Sequence, residues 1–484
     1  MSVLPELHYL PFWFTELSNG IMVLVNQGGE HLFINLDDFN HILNKDIDRN
    51  SDFYFVLKDK QFLADDYDLE IQLDVLANQL RSRKAYLDDF TSLHMIVVTA
   101  RCNFNCRYCH ASSANEKEHD LDLDWPTAKL IVNKIFESPS PIIKIEFQGG
   151  EPLLNWPIIQ DIVEYAEIVN RIAKRQLEFV ICTNLTLITR EILEYCESHN
   201  IAISTSLDGN QEIQNYNRKP RGPIDGYKVF EEKLALTRLI LGQDGASPLL
   251  TVSKTNLNRL PLVVDEYIKH NFHGIFIRAL NPYGNAVDNV NTLGYSTEEF
   301  LKAYKNALNY IIQKNIEGYY FVEYYAALLL ERILTPFSTG FVDLQSPCGN
   351  IISGVIYDYN GYVYASDEGR MLARRGDKRF CLGHVKSNTW NELFKGDIAK
   401  EVVRASCVEC LPECATCAYQ LYCGADPVRY YAENGTLEGH RPSSSFCQKT
   451  KGALDYIFYL LSLNDDKSFG RGLIIEVDNV KYKN

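Results

Sequence analysis

Three cysteines within eight residues, Cys102, Cys106 and Cys109, carry the clearest chemical signal in this 484-residue chain. Thiolates are soft ligands that bind iron in iron–sulfur clusters. The CxxxCxxC spacing puts the three sulfurs on one short loop, directly after the apolar run 94–99. Three thiolates leave one iron of a [4Fe–4S] cluster without a protein ligand, so this iron can bind and activate a small molecule. We therefore predict a catalytic cluster with an open iron at this loop.

A zinc site is the alternative for this cysteine group. A structural zinc ion requires a fourth cysteine or histidine in a closed tetrahedral arrangement. His110 follows Cys109 directly, but an adjacent residue rarely reaches the same metal ion. The spacing therefore favours the cluster over zinc.

The second signal is the sequence Gly149-Gly150-Glu151-Pro152, which follows a predicted strand. Two glycines let the backbone approach a ligand closely. Glu151 and the exposed backbone groups can accept hydrogen bonds from an amine. A structural turn would explain these four residues if they stood alone. Their position one β-α unit after the cysteine loop favours a cofactor site.

Composition argues against several classes of function. The net charge of −15 disfavours nonspecific nucleic-acid binding, and no apolar run approaches the roughly 20 residues that span a bilayer. Residues 1–6 lack the basic and apolar regions of a secretion signal. We therefore expect a cytoplasmic protein without membrane or nucleic-acid partners, whose 13 cysteines are metal ligands or core residues rather than disulfides. The two isolated cysteines, Cys182 and Cys196, are expected to be buried core thiols.

Six apolar runs alternate with amphipathic segments between residue 94 and about residue 315. Continuous apolar runs of this kind are typical of buried parallel strands. The pattern predicts an α/β fold with a partial (β/α)6, TIM-like barrel, whose chemistry takes place at the carboxyl ends of the strands. The predicted strands are 95–99, 142–147, 179–182, 201–207, 249–253 and 274–279, and the helices include 127–136, 157–171, 191–199 and 260–271.

Three domains are expected. Near the N-terminus, alternating stretches at 21–25 and 31–35 predict a β-hairpin, followed by a helix that Asp37 caps and a helix at 72–80. Eight cysteines concentrate near the C-terminus, after an aromatic-rich helical connector at 297–335. The predicted domains are a small α+β module at 1–90, the barrel with its connector at 91–340, and a cysteine-rich domain at 341–484.

The cysteine loop followed by Gly-Gly-Glu-Pro resembles the radical S-adenosylmethionine (SAM) superfamily over roughly residues 94–280. The resemblance implies that Cys102, Cys106 and Cys109 ligate a catalytic [4Fe–4S] cluster, that SAM binds its open iron, and that an adenosyl radical abstracts a substrate hydrogen. Asp208 is either a turn or helix-capping residue or a cofactor contact. The residues that the resemblance assigns to SAM are Tyr108, Gly149, Gly150, Glu151, Asn184, Ser206 and Arg218.

The C-terminal cysteines resemble the SPASM extension of peptide-modifying members of that superfamily. The run Cys414-x2-Cys417-x5-Cys423, with Cys447 further along the chain, matches the part of the pattern that ligates an outer auxiliary cluster. The resemblance therefore implies a [4Fe–4S] cluster at these four cysteines. A four-cysteine zinc knuckle is the alternative.

The part of the SPASM pattern that holds an inner auxiliary cluster is less regular. Ser366 and Pro427 stand where the pattern usually has cysteines. An alternative ligand set would fill a second four-ligand cluster, and a three-ligand site open to substrate is the other possibility. The cysteines of the alternative set are Cys348, Cys381, Cys407 and Cys410.

Asp367 follows Ser366 directly. In related sulfatase-maturating enzymes the acid at this place removes a substrate proton, which makes Asp367 a candidate catalytic base. The alternative is an ordinary acid in a hairpin beside Glu368.

Five phrases extend the resemblance to the His-Xaa-Ser system radical SAM/SPASM maturase, the B-type member of a paired set. They lie at 10–14, 25–30, 146–155, 364–368 and 422–428. This family implies a bacterial enzyme that oxidises or crosslinks a residue of a ribosomally made precursor peptide. The implied partners are that peptide, a second radical SAM enzyme and an external electron donor such as flavodoxin or ferredoxin.

Other functions stay open at this point. The module at 1–90 either grips a leader peptide by adding a strand to its hairpin edge or is a structural cap. A sulfatase-maturating enzyme, which oxidises cysteine or serine to formylglycine, is the alternative enzyme. A noncatalytic iron–sulfur or zinc protein is the alternative from another class.

Overall fold

The computed structural model describes residues 6–463. Residues 1–5 and 464–484 lie outside the described residues, and with them the outer ends of the predicted domains 1–90 and 341–484 and most of the segment 1–6.

A nine-stranded sheet forms the centre of the protein. The first six of its strands along the chain are mutually parallel, and they lie in the order β6-β5-β4-β3-β2-β1. These strands are β1 (Leu93–Thr99), β2 (Ile142–Gly149), β3 (Gln176–Cys182), β4 (Ile201–Ser206), β5 (Ala246–Thr251) and β6 (Ile277–Arg278). The predicted α/β class with a parallel partial barrel is confirmed.

The alternation of side chains along β2 shows how the sheet separates the core from the site. Ile145 and Phe147 are fully buried in the main hydrophobic core. Glu146 and Gln148 point to the opposite face, where both line a cavity. The helices that carry the chain between the strands are Trp125–Ile135, Trp156–Ala173, Arg190–Ser198, Gln211–Asn217, Gly226–Leu241 and Leu260–Lys269. Among residues 6–463, no helix has both the length and the apolar character needed to cross a membrane.

The sixth predicted strand is interrupted. Gly274–Ile275 pairs with Val322–Glu323, whereas β6 pairs with β5. The buried carboxylate of Glu323 accepts a hydrogen bond from the backbone N–H of Ile277 at 3.0 Å. The Glu323 side chain thus accepts the hydrogen bond that a neighbouring strand would otherwise accept from Ile277. The predicted strand therefore divides into two short strands with different partners. The predicted connector consists of two helices, Thr297–Ile316 and Tyr324–Leu334.

Three further strands extend the same sheet, and they were not predicted. They are β7 (Gly354–Tyr357), β8 (Tyr362–Tyr364) and β9 (Cys381–His384). Strand β7 pairs in parallel with β1, and β8 and β9 follow in antiparallel order. The sheet therefore runs across the predicted boundary at residue 340. The C-terminal helices are Asp367–Arg374, Trp390–Phe394, Asp397–Arg404, Pro427–Asn434 and Ser445–Ser462.

The N-terminal module is an antiparallel sheet with helices and a small core of its own. The predicted hairpin is present, and a third strand lies beside it. The helix after the hairpin is capped by Asn35, not by Asp37, because the Asn35 side chain accepts the backbone N–H of Asp38 at 2.8 Å. The elements of this module are the strands Leu7–Tyr9, Phe12–Glu16, Met22–Asn26, His31–Ile34 and Leu63–Asp65, and the helices Leu36–Asn44, Asp52–Asp59 and Leu69–Lys84.

Candidate active site

The cysteine loop leaves the carboxyl end of β1. Cys102 and Cys106 are buried and Cys109 is half-buried, and the three side chains pack in one group around Phe104. Cys106 lies on the short strand Phe104–Cys106, directly opposite Arg218 in an antiparallel pairing. The structure therefore brings the predicted cluster ligands together and places a cation beside them.

The surroundings of these thiols suit a bound cluster. Burial raises the pKa of Cys102 and raises that of Cys106 to about 11, although the nearby Arg218 cation opposes the shift at Cys106. Both thiols therefore keep their protons until a metal displaces them. No three cysteine sulfurs among residues 6–463 lie within 4.8 Å of one another, as a single zinc ion would require. A [4Fe–4S] cluster spreads its ligands more widely.

The Gly-Gly-Glu loop lies against the start of the cysteine loop. Gly150 donates its N–H to the carbonyl of Thr99 at 2.9 Å, and Glu151 donates to the carbonyl of Arg101 at 2.8 Å. A Cβ atom on Gly149 would lie 2.1 Å from the Thr99 oxygen, and one on Gly150 would lie 2.2 Å from the Arg101 oxygen. Only glycine permits this approach, which fixes the two loops relative to each other.

Glu151 is buried where β2 and β3 end. Its Oε1 accepts the hydroxyl of Thr183 at 2.6 Å and the N–H of Leu153 at 3.2 Å, and its Oε2 accepts the N–H of Asn184 at 2.8 Å. Burial raises the pKa of Glu151, and these three donors oppose that shift. The carboxylate is held rigidly and keeps acceptor capacity on Oε2 for an amine. Ser206 is the last residue of β4, so these polar groups lie at the ends of neighbouring strands.

Tyr108 is anchored by a buried polar network. Its hydroxyl donates to Asp208 Oδ2 at 2.7 Å and accepts from Arg218 Nη1 at 2.9 Å. Asn217 also donates to Asp208, at 3.2 Å. Asp208 does not cap the next helix, because Asn210 does. Burial raises the pKa of Asp208, and the Arg218 cation counteracts this effect. Asp208 therefore positions Tyr108, a role that the sequence analysis missed.

Arg101 is a second residue that the sequence analysis missed. It is buried, and its guanidinium forms a bidentate ion pair with Asp122, with both contacts at 2.7 Å. It also donates to the carbonyl oxygens of Glu116 and Leu154 at 2.8 and 3.0 Å. These bonds hold the chain one residue before Cys102, but an arginine beside a cysteine gives no signal of this role in a single sequence.

A cavity of about 350 Å³ lies between the inner face of the sheet and the C-terminal domain. Apolar side chains such as Met95 and Phe276 line part of it. Five carboxylates and three cations line the rest: Glu146, Asp343, Asp367, Glu368 and Asp426, with Arg278, Arg429 and Lys449. The cavity can therefore receive a polar side chain together with an apolar one.

Burial and neighbouring charges shift the pKa values of several groups in this cavity. Burial and the neighbouring Asp343 and Glu368 raise the pKa of Asp426 to about 7. Burial and the neighbouring Asp367 raise the pKa of Glu368 as well. Burial lowers the pKa of Lys449. The group therefore holds a proton near neutral pH and can exchange it with a bound substrate.

Asp367 lies at the start of a helix, not in a hairpin. The Ser366 side chain accepts the N–H of Gly369 at 3.2 Å and so caps the helix Asp367–Arg374. Arg370 donates to Asp367 Oδ1 at 3.1 Å. Asp367 thus faces the cavity with its carboxylate held in place by a buried cation.

The two isolated cysteines differ from each other. Cys196 is fully buried in the main core, as expected. Cys182 is half-buried at the end of β3, and its thiol donates to Glu146 Oε1 at 3.3 Å. Cys182 therefore contacts the polar side of the sheet rather than the apolar core.

The four cysteines assigned to the outer cluster line a single cavity of about 410 Å³: Cys414, Cys417, Cys423 and Cys447. Burial raises the pKa of each thiol. Arg441 lines the same cavity and is 5% exposed, and its guanidinium has no oxygen acceptor among residues 6–463, although the Cys414 side chain lies beside it. A buried cation without an anionic partner points to an anionic group in this space, which a thiolate-ligated cluster would supply.

The four cysteines assigned to the inner cluster do not gather in the same way. Cys407 and Cys410 lie near Lys84, where Cys410 is exposed. Cys348 is buried, with its N–H bound to Ser406 Oγ at 3.1 Å. Cys381 lies on β9, in a separate apolar group with Val97, Ile356 and Tyr364.

Comparison with known proteins identifies the central part of the chain. Residues 96–239 match the radical SAM superfamily. The chain contains a radical SAM domain. A protein of Methanocaldococcus jannaschii, MJ0907, is 39% identical over 139 residues, which are 28% of this chain and 46% of that protein. The chain thus spans about half the length of this relative.

Two longer matches reach beyond the radical SAM domain. The cysteine-type anaerobic sulfatase-maturating enzyme of Clostridium perfringens is 24% identical over 380 residues, covering 76% of this chain and 96% of that enzyme. The structure of anSMEcpe with bound AdoMet and Cp18Cys peptide has a TM-score of 0.62 and 18% identity, covering 78% of this chain and 99% of that one. The structural match shows a shared fold.

The cofactors of the radical SAM domain are a [4Fe–4S] cluster and SAM, and the residues fit them. The three thiols gather beside the Gly-Gly-Glu loop, where neither glycine has room for a side chain. Cys102, Cys106 and Cys109 would hold the cluster, and the polar groups at the ends of β2, β3 and β4 would hold SAM.

We predict that Gly150→Ala weakens SAM binding and destabilises the radical SAM domain by about 1–3 kcal/mol, the usual range for overpacking. The added Cβ must push the Gly-Gly-Glu loop away from the Arg101 carbonyl. Isothermal titration with SAM and thermal unfolding measure both effects. Gly222→Ala is the matched control, because Gly222 is exposed with open space around its Cβ position. Equal behaviour of the two variants would contradict the proposed close approach.

Proposed function

We propose that this chain is a radical SAM enzyme that modifies a residue of a ribosomally made precursor peptide. The observation that carries this proposal is the group of three cysteines on a loop whose start is bonded to the Gly-Gly-Glu loop, at the carboxyl ends of parallel strands. When bound, the cofactors supply one-electron cleavage of the S–C5′ bond and abstraction of a hydrogen atom from the substrate.

A peptide substrate is supported by the C-terminal domain. Its four-cysteine cavity suits an auxiliary cluster, and the cavity above the sheet is open enough for a side chain of a peptide. The related structure anSMEcpe has a bound peptide. On the resemblance to the His-Xaa-Ser system maturase, the peptide carries His-Xaa-Ser repeats, and the second radical SAM enzyme and a flavodoxin or ferredoxin are its other partners.

The residues around the cavity orient the substrate and move its proton. Asp367 is proposed as the base, because one-electron oxidation of the substrate radical releases a proton. The cluster at the outer cysteines would accept the electron. Arg370 keeps the Asp367 carboxylate oriented, and Asp426 and Glu368 lie close enough to receive the proton afterwards. The sheet and the C-terminal domain enclose this space and limit the access of water.

Sulfatase maturation, the oxidation of cysteine or serine to formylglycine, is the second candidate. The match to the Clostridium perfringens enzyme covers 96% of that enzyme, which favours this activity. Ser366 counts against sulfatase maturation, because the usual SPASM pattern has a cysteine at this position. In this chain the Ser366 side chain caps a helix.

We also propose that the N-terminal module binds the leader of the precursor peptide. Phe12–Glu16 lies at one edge of its sheet, and Phe14 on that strand is half exposed. The module is attached to the C-terminal domain, since Trp13 Nε1 donates to the carbonyl of Ala415 at 2.9 Å and Tyr422 donates to that of Gly29 at 2.9 Å. A leader at this edge would lie next to the strand that contacts the C-terminal domain.

We expect the anaerobically reconstituted protein to form 5′-deoxyadenosine from SAM when dithionite is added. Cys106→Ala should abolish this product because it removes one of three cluster ligands, whereas Cys196→Ala, a core cysteine, should retain it. Two peptides then separate the candidates by mass spectrometry: one with His-Xaa-Ser repeats and one with a sulfatase cysteine motif. Formylglycine in the second peptide alone would favour sulfatase maturation. No 5′-deoxyadenosine, with Cys106→Ala equal to wild type, would exclude both and favour a noncatalytic protein.

We expect Asp367→Asn to lower the formation of modified peptide by about 10²–10⁴-fold, the usual contribution of a general base. Cleavage of SAM should continue, since Asp367 is not among the residues proposed to hold the cluster or SAM, so 5′-deoxyadenosine accumulates without product. Asp397→Asn is the matched control, because Asp397 also starts a helix but is fully exposed. If Asp367→Asn formed modified peptide and 5′-deoxyadenosine in the same ratio as the wild type, Asp367 would not be the base.

A further inference from the structure

We infer that this chain carries one auxiliary [4Fe–4S] cluster, at the outer cysteines, and that the space beside Ser366 is given to the substrate instead of a second cluster. This inference rests on the proposed function for the role of the space, but the number of clusters does not depend on turnover.

The first argument is the separation of Cys381 from the other three inner cysteines. Cys381 lies on the sheet and packs with Val97, Ile356 and Tyr364. The other three are not part of this group, since Cys348 and Cys407 both lie near Tyr86 and Cys410 lies near Cys407. The four sulfurs therefore do not form one four-cysteine site in this structure.

The second argument comes from the positions where the SPASM pattern has its inner ligands. Ser366 lines the cavity above the sheet, and Pro427 starts a helix capped by Asp426, which also lines it. None of the 13 cysteines lines this cavity. Its charged lining consists of carboxylates and cations, which suit a peptide rather than iron and sulfide. The outer site differs, because all four of its cysteines line one cavity.

Iron and sulfide counting on the reconstituted full chain tests this inference. We expect about eight irons per chain, four for each of two clusters. Cys417→Ala should lose about four irons, whereas Cys410→Ala and Cys381→Ala should lose none. Because Cys410 is exposed, its replacement tests the inner site without disturbing the core. About twelve irons, or a loss of about four in Cys410→Ala or Cys381→Ala, would overturn the inference. Failure of the proposed function shows separately, as absence of 5′-deoxyadenosine from protein with full iron.

A separate observation carries a second proposal: we propose that Arg441 is the counter-cation of the outer cluster. Its guanidinium is stacked 3.9 Å from the centre of the Tyr430 ring and lines the same cavity as Cys414 and Cys447. It has no oxygen acceptor among residues 6–463, and the Cys414 side chain lies beside it. A buried cation without an anionic partner is costly, so it requires a compensating negative charge. Four thiolates and a cluster supply that charge.

The test is the midpoint potential of the auxiliary cluster, measured by an anaerobic redox titration followed by electron paramagnetic resonance. Arg441→Met keeps the packing on Tyr430 but removes the charge, so the reduced cluster loses stabilisation and the potential should shift to more negative values. Arg441→Lys keeps the positive charge, so its midpoint potential should stay close to the wild-type value. The signal of the catalytic cluster should not change in either variant. Loss of about four irons in Arg441→Met alone also supports the proposal. An unchanged potential with full iron would overturn it.

Discussion

The close approach of two backbone segments is the constraint on which the active site depends. Residues 99–101 and 149–151 are joined by backbone hydrogen bonds at a distance that excludes a Cβ atom on either glycine. One segment leads into the cysteine loop and the other carries Glu151. Their contact therefore decides where a cluster and the groups around SAM lie relative to each other. A site for two cofactors needs this rigidity, because a loosely held loop would let their separation vary.

The opposite side of the cysteine loop is held by ionic groups instead of backbone contact. Arg218 lies across from Cys106 in a strand pairing, and its side chain reaches the Tyr108 hydroxyl, which in turn binds Asp208. Burying charges is costly unless they are paired and fully hydrogen-bonded. Asp208 meets the hydrogen-bonding part of this condition, since Asn217 and the backbone N–H of Thr251 also donate to it. The loop is thus fixed from both sides before any cofactor binds.

The sequence predicted those strands and helices that are determined by the pattern of neighbouring residues. Five of the six barrel strands were found because they are short runs rich in apolar residues between turn signals, although β2 alternates apolar and polar side chains. The sixth run was predicted whole, but Glu323, distant in sequence, divides it. Strands β7 to β9 were missed because short strands without a long apolar run give little signal. The cap Asn35 was missed by two residues, which is the usual uncertainty of a helix boundary.

The same distinction holds for the site residues. The grouping of the catalytic and of the outer cysteines could be predicted because the members of each set lie close together in sequence. Cys447 is the exception, and it lies near the start of the last helix. The inner set could not, because it required residues far apart in sequence to meet, and Cys381 belongs to a different part of the sheet. Asp208, Arg101 and Arg441 were missed for a related reason. Each acts through partners that only the fold brings near.

The extension of the sheet explains why the C-terminal domain takes part in chemistry. Because β7 pairs with β1, the chain that follows β8 brings Asp367 and Glu368 over the inner face of the barrel. Glu368 and Asp426 line the same cavity, where burial and the repulsion between neighbouring carboxylates raise the pKa of both groups. Under the proposed function, a substrate oxidised in this cavity would release its proton beside these carboxylates. The residues that line the cavity come from both the barrel and the C-terminal domain.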